Sequence, residues 1–336
     1  MTRFTSVADF DAALAALPPA DDAARAAAAG RQARLTKPAG SLGRLEEIAL
    51  FMAGWRGDPR PRLDDARVVV FAGNHGVAAR GVSAFPPSVT AQMVANFAAG
   101  GAAINALADA AGLSLTVVPL TLELPTGDIT HEAAMSEAEC LDALDAGATA
   151  VTAGIDLLVP GEMGIGNTTP AAALCAASFD GGAAAWVGPG TGVAGAALVA
   201  KREAIDAALA CHADATSAFE RLRRLGGREI AAIAGMVLAA RHARVPVLLD
   251  GFITGAALAP LAAAQPRIVD HCLAGHVSGE PGHARLLDRL GLRPLLALDM
   301  RLGEASGAAV AAGVVRAALA AHDRMATFDQ AGVSEA

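Results

Sequence analysis

Aromatic side chains are scarce, with Phe, Trp and Tyr together making up 4% of the 336 residues. Basic runs are missing too, and the formal net charge is −8. These two shortages remove both the stacking platform and the phosphate-tracking surface that nucleic acid needs, so no nucleic-acid partner is expected. Any anionic ligand must be held locally, by backbone N–H groups and a few placed cations, against an unfavourable overall field. Long apolar runs are also lacking. Mean hydropathy is +0.42, but alanine supplies much of it. Gly, Pro or charge breaks every run well short of the roughly 20 residues of a spanning helix. The N-terminal MTRFTSVADFDAAL lacks a basic region followed by an apolar one. No signal peptide and no membrane association are therefore expected, and the cytoplasm is the expected location. The four cysteines (Cys140, Cys175, Cys211, Cys272) lie far apart without a CxxC pair. Buried reduced thiols are expected, not a metal or disulfide framework.

What is present is a repeating alternation. Residues 7–34 predict two alanine-rich helices parted by Pro18-Pro19, and a loop, TKPAGSLGRLEE (36–47), leads into a helix ending near Gly54. Short apolar runs follow at 67–73, 113–120, 154–160, 183–188, 245–251, 266–272 and 293–300, separated by glycine-rich turns and helical stretches. Such runs predict buried parallel strands in βα units, hence an α/β fold. An alanine-rich helix over 305–323 and a short frayed tail close the chain. In open parallel sheets, ligands collect at the carboxyl ends of strands. The distinctive segments are expected there: GNHGV, GEMGIGNTTP, GPGTG, DGFITG, HVSGEPGH and RLGEASGA.

GEMGIGNTTP (161–170) offers Gly164 and Gly166 for close backbone approach. Asn167 and Thr168 supply polar side chains and a helix cap ahead of Pro170 at the first helical position. The free N–H groups of a helix start suit a phosphate, although the segment alone serves equally as a capped turn. GPGTG (188–192), with Gly188, Gly190 and Gly192, repeats the device. Lys201 follows on the next helix as a point charge for phosphate, or as a solvated surface lysine. Glu304, at the start of the last helix, is expected to be held ionised by that helix's N-terminus and to accept a proton. Glu162 sits between two glycines in an expected loop. His75 in GNHGV is expected to bond a loop or a substrate. His271, Cys272, His276 and His283 lie in a stretch interrupted by Gly275, Gly279, Pro281 and Gly282, which argues against a zinc site. LLDGFITG (248–255) is weakly similar to the loop of Mg-dependent phosphoribosyltransferases, with Asp250 as its single acid. GVSAFPPSVTAQMVANF (81–97) places Val82, Phe85, Gln92 and Met93 where they can wall a pocket for a flat heterocycle.

Taken in order, these segments resemble one family, the nicotinate-nucleotide–dimethylbenzimidazole phosphoribosyltransferases. The resemblance runs from KPAGSLGRLEE (37–47) through FAGNHGV, GVSAFPPSVTAQMV, GEMGIGNTTPAAA, VGPGTG, PVLLDGFITGAAL and HVSGEPG to RLGEASGAAVA (301–311). It implies a Rossmann-like sheet domain (61–307), a small helical domain from both chain ends (1–60 and 308–336) and a homodimer. The implied reaction transfers phosphoribose from nicotinate mononucleotide to 5,6-dimethylbenzimidazole with inversion, without metal or cofactor. The implied roles are Glu304 as catalytic base, Glu162 in support, Lys201 beside the nucleotide, and Phe85 and Leu302 at the base. Three departures stand out: Asn74 where many members have Asp, Phe85 where some have Ser, and Ala305 where the motif has Gly. A Mg-dependent phosphoribosyltransferase or nucleotide hydrolase using Asp250, and a non-catalytic nucleotide or benzimidazole sensor, are the alternatives.

Overall fold

The computed structural model describes residues 2–190 and 192–334; Thr191 of GPGTG and the last two residues of the tail lie outside the described residues. Six strands form one parallel sheet in the order β2-β1-β3-β4-β5-β6. They are β1 (Ala66–Ala72), β2 (Ser114–Pro119), β3 (Leu157–Met163), β4 (Val247–Leu249), β5 (Cys272–Val277) and β6 (Pro294–Ala297). Side chains alternate across a strand, and here both faces are apolar. Val69, Phe71, Leu158 and Leu249 enter one core, while Val68, Val70, Leu157, Val159 and Leu248 enter the other. Helices therefore cover both faces, as buried parallel strands require.

Three expected elements differ. The stretch 183–188 is the helix Gly182–Trp186, because three successive alanines favour helix over strand. GPGTG consequently follows a helix. The expected strand 266–272 is a 3₁₀ turn at Pro266–Val269, and β5 begins only at Cys272. Its LAGH core lacks the β-branched run that would advertise a strand. Finally, β3 extends to Met163, because its pairing with β1 continues through Phe71↔Glu162 and Ala72↔Met163. Glu162 thus projects from a sheet strand instead of a loop. The exposed Cys211 also departs from the expected burial; Cys140, Cys175 and Cys272 are buried and free.

The two N-terminal helices, Val7–Ala15 and Asp22–Gln32, flank the Pro18-Pro19 break as expected, with Asp21 capping the second. The third, Arg44–Arg56, begins inside the expected loop. Its Ile48, Ala49 and Met52 share a core with β1 and with the last long helix, Ser306–Arg324. The tail past that helix is tied back: Leu35 bridges Thr327, which caps the turn Phe328–Ala331. No helix among the described residues is long and apolar enough to cross a membrane.

Candidate active site

The strand order reverses between β1 and β3, and a crevice at such a switch point is the usual ligand position. Here its floor is filled from within. His75, just past β1, is buried and its Nε2 lies 2.6 Å from Oε1 of the equally buried Glu229. The open space lies one step along the sheet, as a cavity of about 370 Å³ over the ends of β3, β4 and β5. Glu162, Asp250 and His276 line it from those strand ends, Thr168 and Gly190 from one side, and Phe85, Val89, Met93 and Leu302 from another. Ser278, Glu280, Arg301 and Glu304 complete the polar lining. GPGTG reaches the cavity through Gly190 although no strand precedes it.

Glu162 and Glu304 sit side by side, the Glu304 N–H lying 3.3 Å from the Glu162 carbonyl. Gly303 is required between them, since a Cβ there would lie 2.4 Å from Glu162 Oε1. Burial pushes the Glu162 carboxyl up to about 8; the Asn167 amide works against this, and Glu229, Asp250 and Glu304 reinforce it. Asn167 therefore does not cap its helix. Its side chain donates to Glu162 Oε2, while the helix Thr168–Ser178 starts without a side-chain cap and holds Pro170 in its third position.

Glu304 also departs from expectation. Burial raises its pKa, the Ile104 backbone N–H opposes that, and Asp250 adds to the rise. The helix start facing this carboxyl is that of Ala103–Ala111, where Ile104 is the second residue. Oε2 of Glu304 is buried without a hydrogen-bond partner. Gly303, Glu304 and Ala305 are successively left-handed, with φ of +85°, +62° and +69°. Ala305, where the motif has Gly, carries a fully buried Cβ in that conformation. Left-handed geometry costs an alanine roughly 1–2 kcal/mol, so surrounding packing fixes the turn that aims Glu304.

Lys201 is wholly buried, donating to Thr168 Oγ1 at 2.7 Å and to the Gly188 carbonyl at 2.8 Å. Burial lowers its pKa to about 8, with Glu280 pulling the other way. It pins the GPGTG segment to the start of the Thr168–Ser178 helix, one layer beneath Gly190. Asp250 Oδ1 accepts from the Ala308 N–H at 2.9 Å, capping the helix that follows Glu304. Its part is thus to anchor that helix start.

Of the other expected residues, Gly164, Asn167, Thr168, Phe85, Met93 and Leu302 line the cavity. Gly166 packs over Ala78 and Val82 beside it, and Gly188 lies against Glu280. Neither Val82, which is buried, nor Gln92, which is exposed, reaches the cavity, and Gly192 does not line it either. Asn74 is buried and donates to the Leu122 carbonyl, an uncharged task that needs no Asp. Sequence reasoning overlooked His276, Ser278, Glu280 and Arg301 as lining residues. HVSGEPGH is expected at a strand end with the other site loops, but nothing local in it marks which of its side chains face the cavity.

The phosphoribosyltransferase family profile matches residues 17–333. Nicotinate-nucleotide–dimethylbenzimidazole phosphoribosyltransferase of Novosphingobium aromaticivorans is 65% identical over 336 residues, covering 100% of this chain and 99% of its own. The enzyme of that name from Methylorubrum extorquens is 58% identical, covering 95% of this chain and 94% of its own. The crystal structure of CobT from Thermus thermophilus superposes with a TM-score of 0.87 at 43% identity, covering 94% of this chain and 100% of that one. The chain belongs to the nicotinate-nucleotide–dimethylbenzimidazole phosphoribosyltransferase family.

Proposed function

We propose that this cavity transfers the 5-phosphoribosyl group of nicotinate mononucleotide to 5,6-dimethylbenzimidazole, giving α-ribazole 5′-phosphate and nicotinate. The observation that carries the reading is Glu304: a buried carboxyl with an unpartnered oxygen, beside the apolar wall of Phe85, Met93 and Leu302. As the C1′–N bond breaks, its electron pair stays on the pyridine nitrogen and cancels that ring's positive charge. One benzimidazole nitrogen donates its lone pair to C1′ from the opposite face, which inverts the configuration. The new cation is strongly acidic at the other nitrogen, and Glu304 takes that proton. A carboxylate whose pKa is raised by burial is a stronger base for the task than an exposed one.

Charge supports the same assignment. Besides Glu162, which keeps its proton at neutral pH, three further acids, Asp250, Glu280 and Glu304, line the cavity together with the cation Arg301. Such a wall favours a sugar that gains positive charge as its leaving group departs. The phosphate is assigned to the opposite end, at the uncapped start of the Thr168–Ser178 helix, with Lys201 beneath it on Thr168 Oγ1. Glu304→Gln should lower turnover by roughly 10²–10⁴-fold while nicotinate mononucleotide binds nearly as before. Mass analysis for α-ribazole phosphate measures this directly, and near-normal product from the purified variant would remove Glu304 from the mechanism.

The active form is proposed to be a cytoplasmic homodimer. Phe85 and Leu302, 52% and 57% exposed at the cavity mouth, form an apolar rim that a second copy would cover. Free buried thiols at Cys140, Cys175 and Cys272 suit a reducing compartment. Sedimentation equilibrium should give twice the chain mass, and a monomer at micromolar concentration would argue against the pairing.

A further inference from the structure

One cavity group has no part in the chemistry above. His276, at the end of β5, is 2% exposed, and neither of its ring nitrogens has a hydrogen-bond partner among the described residues. Leaving a buried polar group unpaired costs roughly 1–3 kcal/mol, so its position needs an explanation. The ring is not loose. Gly307 abuts it so closely that a Cβ there would lie 2.3 Å from the imidazole. His283 meets it edge-on with centroids 6.0 Å apart, and is itself fixed by the Ser278 N–H and hydroxyl, each 2.9 Å from its Nδ1. Asp250 Oδ1 lies 3.4 Å from His276 Nε2 without hydrogen-bond alignment, being committed to the Ala308 N–H.

A locked imidazole that faces the cavity can donate from one ring nitrogen and accept at the other. The adjoining Asp250 carboxylate decides what it can meet. A phosphate or nicotinate carboxylate would be repelled there, and the heterocycle has its own apolar wall at Phe85 and Met93. A sugar hydroxyl suits the place, because it both donates and accepts. We infer that His276 is a positioning residue for the ribose diol of the nucleotide: it takes one of the 2′- and 3′-hydroxyls beside Asp250 and so orients C1′ between Glu162 and Glu304.

The inference rests on the reading under Proposed function, and the test separates the two. Dissociation constants of nicotinate mononucleotide and its 2′-deoxy and 3′-deoxy counterparts are measured calorimetrically on the whole chain. Binding is preferred to rate because the 2′-hydroxyl also slows glycosidic cleavage inductively. The wild type should bind at least one deoxy compound about tenfold more weakly than the ribonucleotide. His276→Phe keeps a ring against Gly307 but loses both nitrogens, and should bring that ratio within about twofold of one. His276→Gln, which retains a donor and an acceptor, should recover part of the discrimination. A His276→Phe ratio equal to that of the wild type overturns the role, whatever the absolute affinities. If that happens while wild-type turnover with dimethylbenzimidazole persists, only this inference fails. Absence of that turnover removes both.

Discussion

Glu162 shows what burial does to a single carboxyl here. With its pKa near 8 when folded and near 4.5 when exposed, the folded chain keeps a proton that the unfolded chain has released. Stability from this group is therefore full below about pH 4.5 and declines as pH rises towards 8. Glu162→Gln removes that contribution, so its unfolding free energy should fall less steeply than the wild type's across this window. Urea titrations at about pH 5 and about pH 8 check this, and parallel slopes would refute it. Burial raises Glu280 and Glu304 as well, so a smaller slope should remain. The sequence displayed these acids but not their shifts. Glu162 in GEMG looks like any loop carboxylate; its burial, and after that the neighbouring Glu229, Asp250 and Glu304, distant in sequence, give it its pKa.

At the scale of elements, the helix Ser306–Arg324 anchors the turn that presents Glu304. Its start is held from β4 by Asp250, while Gly303 to Ala305 turn the preceding chain over Glu162. Asp250→Ala should cost about 1–2 kcal/mol, as for loss of a helix cap, and should lower turnover by letting Glu304 drift. Asp250→Asn keeps an oxygen acceptor and should retain most of the stability. Thermal unfolding of the two variants checks the order; equal loss in both would mean that the cap is not what matters. Most elements were legible from periodicity. The misplaced ones have separate causes: the alanines of AAAWVG favour helix, LAGHV lacks the β-branched run that would mark it as a strand, and the end of β3 is set by its pairing with β1.

Across the whole molecule, the helical ends and the sheet form one packed body. Trp55 donates to the Asp270 carbonyl at 3.0 Å and carries the Arg241 guanidinium 4.3 Å over its ring. Arg31 reaches the carbonyls of His322, Asp323 and Met325. A division at 307/308 would fall inside the Ser306–Arg324 helix, whose alanines share a core with both Met52 and Val159. Division into a small helical domain and a sheet domain remains a proposal, and the shared core argues that the two melt together. Calorimetry should show one transition, whereas two resolved transitions would restore independent domains.

The sequence by itself determined the α/β class, the glycine-rich turns at most strand ends, and the ordered motifs that mark the family. Those properties are local, resting on periodicity, turn chemistry and residue order. Tertiary structure decided which turns reach the cavity, that His75–Glu229 fills the switch-point crevice, and that Lys201 lies beneath the ligand space. It alone set the shifted carboxyls and the unpartnered His276, because both depend on which distant groups share a volume from which water is excluded.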